Sequence, residues 1–283
     1  MRTLENALQA GRLMLKEKNI VDGDLDAWYL LSYFFGITRA KYFSESSMEI
    51  TTEQYNEYLK LVEKRSMHIP LQYITGEQEF MGLRFLVSKD VLIPRQDTEI
   101  LVQEVMKVSK GAHVLDLCTG SGCIIISLSK LGNIISGIGV DISDAALKIA
   151  KENADYNKAD VTFIQSDLFA NVNGTFDIIV SNPPYIPTKD ILDLMDEVKE
   201  HEPFIALDGK EDGLYFYRLI INELSHYLKH GGYIFFEIGY DQGEDIKSLL
   251  SEAGVVDVEV IKDLAGLDRV VKGRYLKAME PFT

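Results

Sequence analysis

Three stretches of helical periodicity open the chain, and then the pattern of apolar positions changes twice. Leu4, Leu8, Gly11 and Leu15 share one helical face, and Ala27, Leu30, Leu31 and Phe34 share another that stops at Gly36. Tyr55, Tyr58, Leu59 and Val62 share a third, where Thr51 and Gln54 have the spacing of a capping box. A small helical bundle is predicted, with its aromatics, including the single tryptophan Trp28, as core. From Gln72 to Ile93 the period drops to two, with Phe80, Leu83, Phe85 and Val87 alternating and Gly76 and Gly82 interrupting, which predicts a β-hairpin. Short apolar runs then alternate with helical stretches: Val114–Leu117, Ile138–Val140, Val161–Gln165, Phe176–Val180, Tyr233–Ile238, Val258–Ile261 and Arg269–Lys272. They predict an α/β fold, a seven-stranded Rossmann-like domain closing on a strand pair. The expected organisation is a helical domain over 1–71, a hairpin linker over 72–95 and the α/β domain over 96–283, with no internal repeat.

The ends of four successive strands carry the chemistry. After Val114–Leu117 comes Cys118-Thr119-Gly120-Ser121-Gly122, and Ile124, Leu128 and Leu131 then fall at helical spacing before Gly132. A helix N-terminus behind such a loop offers free amides and about half a positive charge to a ligand's carboxylate or phosphate. The glycine spacing is not G-x-G-x-x-G, and the lysine of a P-loop is missing, so two common nucleotide-binding readings weaken. Asp141 stands at the end of the second strand, about twenty residues beyond the loop, where an acid would bind a ribose's two hydroxyls. It could instead cap the following helix, as Ser143 could. At the third strand's end, Asp167 is placed to accept from an adenine amino group and Leu168 to cover the ring.

The fourth end is Asn182-Pro183-Pro184-Tyr185. Two prolines fix the backbone and remove its donors, leaving as acceptors the Asn182 side-chain oxygen and the Pro183 carbonyl. Each can take one hydrogen of an NH2 group while Tyr185 stacks on the flat group that carries it. A plain proline-rich turn is the alternative for the tetrapeptide taken alone. Ligands of open α/β sheets bind outside the carboxyl ends of the strands, so the four ends describe one crevice.

Composition narrows the class. The 283 residues are 46% hydrophobic, enough for a large core and two domains, and 44 acids against 29 bases give a net charge of −15. Such a surface disfavours direct nucleic-acid binding. It suits a basic protein partner, or serves solubility alone. Only Cys118 and Cys123 occur, and no His/Cys cluster has zinc spacing, so neither a disulfide framework nor a metal site is expected. No signal peptide pattern opens the chain, and no apolar run reaches the eighteen or so residues that span a bilayer; a soluble, cytoplasmic protein without membrane contact is expected.

Six motifs make the chain resemble the HemK/PrmC family, the N5-glutamine methyltransferases of peptide-chain release factors: Tyr73-Ile74-Thr75-Gly76, Phe80-Met81-Gly82, Val91-Leu92-Ile93-Pro94-Arg95, Asn182-Pro183-Pro184-Tyr185, His201-Glu202-Pro203 and Asp268-Arg269-Val270-Val271. The resemblance implies S-adenosylmethionine as cofactor, leaving S-adenosylhomocysteine, with contacts at Cys118, Thr119, Gly120, Ser121, Gly122, Asp141, Asp167, Leu168 and Asn182. It implies substrate contacts at Asn182, Pro183, Pro184 and Tyr185, with Asn182, Pro183 and Tyr185 catalytic. The implied partner is a release factor whose Gly-Gly-Gln glutamine is methylated, and residues 1–71 would dock it; a monomer is expected. Two departures stand out: Cys118 replaces the family's usual glycine, and Gln96-Asp97 follows Arg95 where proline and glutamate are usual.

The implied chemistry leans on positioning, because an amide lone pair is delocalised and a poor nucleophile. A general base is not required, since the N-methylated amide is far more acidic before it loses its proton; His201 and Glu202 are expected to shape the loop. A similar clamp could hold an exocyclic amino group of adenine or guanine in DNA or RNA, and a non-catalytic module could keep the same fold.

Overall fold

The structure is a computed structural model that describes residues 2–276; residues 1 and 277–283, the ends of the expected 1–71 and 96–283 segments, lie outside it. The chain forms two compact units, one comprising residues up to Glu77 with Met195–His201, the other the remainder.

The first unit is helical. Helix α1 (Leu4–Glu17) starts at a Thr3/Asn6 capping box, α2 (Gly23–Phe35) ends at Gly36 in the left-handed conformation, and α4 (Thr52–Ser66) starts at the Thr51/Gln54 box. Between them lies α3 (Arg39–Glu45), which has no buried residue and therefore left no apolar stripe to read. Gly11 lies on the buried face of α1 because Tyr58 needs the space: a Cβ there would come 3.0 Å from the ring's Cζ. The Tyr58 hydroxyl donates to the Ala27 carbonyl at 3.0 Å, and Trp28 is buried. Arg65 is buried between Asp26 (2.7 Å) and Glu197 (2.8 Å).

Alternation does not begin at Gln72. A one-turn helix α5 (Leu71–Thr75) follows Pro70 and is closed by Gly76 at φ +78°, because the Gly76 amide turns back to the Gln72 carbonyl. The hairpin proper is β1 (Glu77–Phe80) and β2 (Leu83–Leu86). Phe80 and Phe85 are fully buried in the core of the second unit, so packing holds this hairpin.

The second unit continues with α6 (Gln96–Met106), β3 (His113–Leu117), α7 (Cys123–Leu131), β4 (Ser136–Asp141), α8 (Asp144–Asn157), β5 (Thr162–Gln165) and β6 (Phe176–Ser181). After the short α9 (Asp196–Lys199), which groups with the first unit, come α10 (Tyr215–Tyr227), β7 (Leu228–Glu237), α11 (Gly243–Glu252), β8 (Val255–Lys262) and β9 (Asp268–Tyr275). The sheet order is β5-β4-β3-β6-β7-β9-β8; all neighbours are parallel except the pairs that β9 makes. Strand β7 starts five residues earlier than expected, because the chain bridges Gly231 and Gly232 with a register shift rather than turning there.

Successive side chains of a strand face opposite ways, and β3 and β6 feed two cores. Leu115, Leu117 and Ile179 pack with Tyr217 and Ile220 of α10 on one face; Val114, Ile178 and Val180 pack with Leu101 of α6 and Ile125 of α7 on the other. Strand order reverses between β3 and β6, and a crevice opens at such a switch point. Register makes it sharp: Leu117 lies opposite both Val140 and Ser181, and Ser181 opposite Phe236. The loop after Leu117, Asp141, Asn182 and Glu237 therefore leave the sheet at one level.

Candidate active site

The loop after β3 is built by backbone conformation. Cys118, Gly120 and Gly122 all have left-handed backbones, with φ of +59°, +53° and +79°. That geometry explains why glycine suits position 118, and Cys118 occupies it at some strain. At Gly120 nothing lies within 4 Å of where a Cβ would be. Gly122 differs: its Cβ would meet the Ile126 Cδ1 at 2.9 Å, so this glycine seats α7 against its neighbours. The Thr119 amide donates to the Val140 carbonyl (2.9 Å), and its hydroxyl donates to Asp116 Oδ2 (2.5 Å). Asp116 is fully buried, and burial pushes its carboxyl up to about 7, with the Asp141 charge adding to the shift and the Thr119 hydrogen bond opposing it. Burial likewise pushes the Cys123 thiol to about 12 and raises the Cys118 thiol, so both are inert as nucleophiles.

Asp141 is not the helix cap. Ser143 is: its hydroxyl accepts from the Ala146 amide at 3.1 Å. The Asp141 carboxylate instead accepts from the Gly120 amide (2.8 Å, Oδ2) and the Ser143 amide (2.9 Å, Oδ1), tying the glycine loop to the end of β4. Burial raises its pKa against these hydrogen bonds. Asp167 and Leu168 follow β5, with Leu168 left-handed at φ +45°.

The tetrapeptide after β6 is clamped from below. Gln242 donates to the Tyr185 carbonyl (3.0 Å), and the Tyr185 backbone packs so closely on Gly209 and Gly213 that a Cβ at Gly209 would come 2.7 Å from Tyr185 Cα. The Tyr185 ring packs against the core, and burial raises its hydroxyl pKa. The Asn182 amide nitrogen lies 3.5 Å from Thr98 Oγ1. Glu202, nearly buried, bonds the Ile93 amide (3.4 Å) and pairs with Arg95, while His201 contacts the Met67 carbonyl (3.3 Å); both shape loops.

A cavity of about 320 Å³ opens over these strand ends. Cys118, Thr119, Gly120, Ser121, Asp141, Asp167, Leu168, Asn182 and Pro184 line it; Gly122, Pro183 and Tyr185 do not. Its lining suits a positively charged nucleoside: Asp141 for the diol, Asp167 and Ser166 for an amino group, and Ile142 and Leu168 for the ring faces. Its bases Arg95 and Lys210 are paired with Glu202 and Asp208, while Asp141 and Asp167 face it with no ion pair among the described residues. Thr98, Ser166, Lys210 and Phe216 line it without any signal in the sequence pattern.

The profile described as PrmC N-terminal domain matches residues 6–76, and the one described as Methyltransferase small domain matches residues 95–200. The protein of Geobacter sulfurreducens named release factor glutamine methyltransferase is 41% identical over 96% of this chain and 96% of its own length. The chain belongs to the release factor glutamine methyltransferase family. A second member, from Clostridium botulinum, is 42% identical over 96% of this chain and 99% of its own. A solved methyltransferase from Pyrococcus furiosus shares the fold alone, with TM-score 0.54 at 16% identity, covering 78% of this chain and 99% of that one. S-adenosylmethionine is accordingly the cofactor this family's fold binds. Helix α6 starts at Gln96, directly after Arg95, and Asp97 pairs with Arg269 at 3.2 Å. No described helix is long and apolar enough to cross a membrane.

Proposed function

We propose that this protein methylates the side-chain amide nitrogen, N5, of the glutamine in the Gly-Gly-Gln loop of peptide-chain release factors, in the cytoplasm where translation terminates. The observation that carries the reading is Asn182 at the end of β6, facing the same cavity as Gly120 and Asp141 from the adjoining strand ends. S-adenosylmethionine, when bound, supplies an electrophilic methyl group on a positively charged sulfur. Cys118 to Ser121, Asp141, Asp167 and Leu168 are assigned to holding it.

The chain's own residues then have to aim a weak nucleophile. Asn182 Oδ1 accepts one N–H of the glutamine amide, and the Pro183 carbonyl is assigned the other, which fixes the nitrogen's direction. Both acceptors also stabilise positive charge growing on that nitrogen. The proton leaves to water without a base of shifted pKa. Tyr185, its ring packed in the core, is assigned to holding the Asn182–Pro184 backbone at fixed spacing rather than to stacking on substrate. A nucleobase amino group is the less favoured substrate, given the family and the charge of −15.

Residues 1–71 are assigned to docking the release factor, supported by the exposed aromatics Tyr29, Tyr33 and Phe43 of the helical unit. Phe43→Ser should raise KM for a whole release factor severalfold and leave KM for a short Gly-Gly-Gln peptide unchanged. Equal effects on both substrates would remove the docking assignment. The function itself is tested by incubation with labelled S-adenosylmethionine, a purified release factor and a nucleic-acid control. Label in the release factor is expected; label only in DNA or RNA would overturn the reading.

A further inference from the structure

Strand β7 ends in an acid that no step above uses. Glu237 is 2% exposed, and among the described residues its Oε2 has no hydrogen-bond partner. Burial of an incompletely bonded carboxylate is costly, so its position calls for a physical reason. Register supplies one: Ser181 of β6 lies opposite Phe236 of β7, which brings the next residues, Asn182 and Glu237, off the sheet side by side. Thr98 Oγ1 lies 3.5 Å from Asn182 Nδ2, and both side chains sit close enough to the Glu237 carboxyl to favour its charged form.

We propose that Glu237 is a positioning residue for Asn182: with Thr98 it holds the amino end of the amide, so that Oδ1 is the atom presented to the substrate's N–H groups. This rests on the reading that Asn182 grips the glutamine amide. An asparagine amide turned over by half a turn would set donors against donors and lose the grip. A carboxylate, which only accepts, selects one orientation. A protonated acid, able to donate to Oδ1 as well as accept, does not.

The groups facing Glu237 leave it near that boundary. Asp97 and Thr98 come from α6, Tyr185 from the loop after β6, Cys123 from α7, and the Tyr217 hydroxyl of α10 donates to the Glu237 backbone carbonyl at 2.7 Å. Arg269 of β9 is a cation acting on it, but Arg269 is shared with Asp97 (3.2 Å) and Asp263 (3.1 Å). Burial therefore prevails over Thr98, Arg269 and Asn182, which favour the charged form, and pushes the carboxyl up to about 7.

The test uses the full-length protein with Glu237→Leu and Glu237→Gln, each alone and combined with Asn182→Ala, and reads methyl transfer to a release factor together with equilibrium cofactor binding. Glu237→Leu should lower kcat by at least about tenfold, with cofactor Kd within about twofold, as expected for lost orientation of one preorganised group. Glu237→Gln should restore part of the rate. Wild-type kcat should fall as pH drops through about 7, and the Gln variant's profile should be flat. In the Asn182→Ala background the Glu237→Leu effect should shrink to less than about twofold, because the group it orients is gone. Should Glu237→Leu not fold, Thr98→Val is expected to show a severalfold loss with the same dependence on Asn182. A wild-type rate in Glu237→Leu or Thr98→Val, or an equal loss with and without Asn182, would overturn the proposal. Failure of the wild-type protein itself to methylate any release factor would instead sink the functional reading.

Discussion

The two halves of the crevice are made in different ways. On the β3–β4–β5 side the site is mostly backbone: left-handed residues at 118 and 120 turn the loop, and one carboxylate, Asp141, ties two amides together. On the β6–β7 side it is mostly side chain: Asn182 takes its orientation from Thr98 and Glu237, which arrive from α6 and a neighbouring strand. A ligand whose groups are fixed suits the first construction. A nucleophile that must be aimed needs the second, where donor and acceptor ends are distinguished.

The largest effect should come from the side-chain half. Asn182→Ala removes the acceptor that orients the nitrogen and should cost about 3 kcal/mol in the transition state, so that kcat falls at least about a hundredfold. Cofactor affinity, set mainly by the other half, should change much less. Near-normal turnover with saturating substrates would remove Asn182 from the chemistry.

Next comes the backbone half. Asp141→Asn keeps one oxygen but loses the charge that strengthens its hydrogen bonds, about 1.5–3 kcal/mol, so cofactor affinity should drop about ten- to a hundredfold. Because the carboxylate also holds the Gly120 and Ser143 amides, ligand-free melting temperature should fall modestly as well. Unchanged affinity, measured by calorimetric titration, would leave Asp141 a loop brace only.

The halves share a buried acid each, and both should weaken the ligand-free protein at neutral pH. Asp116 and Glu237 ordinarily titrate near 3.8 and 4.5 but reach about 7 here, chiefly through burial. Between those values the folded state binds more protons than the unfolded state, so stability falls as pH rises and the loss is complete above about 7. At the upper limit Asp116 accounts for about 4 kcal/mol and Glu237 for about 3 kcal/mol. The carboxyls of Asp177, Asp208 and Asp263 are lowered and act only below their ordinary range, outside this window. Melting temperature should therefore be higher near pH 5.5 than near pH 7.5, and Glu237→Leu should flatten that slope. A slope of the opposite sign would contradict the burial account.

Cys118→Gly should have the smallest effect. Relief of a left-handed non-glycine backbone, about 1–2 kcal/mol, is opposed by roughly 0.5–1 kcal/mol of extra unfolded-state entropy. Thermal denaturation should show a gain of a few degrees at most. A clear loss would mean the thiol packs more favourably than its backbone is strained.

How much of this was legible in the sequence follows the same division. Strand ends, glycines and Asp141 are marked by local pattern, and the seven strands were read from short apolar runs. Local pattern leaves Asp141 as ribose ligand or cap; the Ser143 hydroxyl on the Ala146 amide removes the cap role, and the Gly120 and Ser143 amides give the carboxylate a bracing one. Gly122 looked like part of the binding loop, but its crowding by Ile126 and Ala150 is a packing demand that depends on α8, twenty and more residues away. Local pattern offers Tyr185 as a stacking ring; that the ring is half-buried against the core is set by tertiary packing the sequence does not show. Thr98 and Glu237 meet only through tertiary register; the one clue was an acid closing the apolar run Tyr233–Phe236. Helix α3 was invisible because it buries no residue, and α5 because five residues are too few to show a period.

The most direct test of the central claim, that the crevice aims a glutamine amide nitrogen, is tandem mass spectrometry of a release factor after incubation with the protein and S-adenosylmethionine, beside the same factor with its Gly-Gly-Gln glutamine changed to glutamate. One methyl group on the amide nitrogen of that glutamine, and none on the glutamate variant, is the predicted result. Methylation that persists on the glutamate variant, or that falls on another residue, would contradict it.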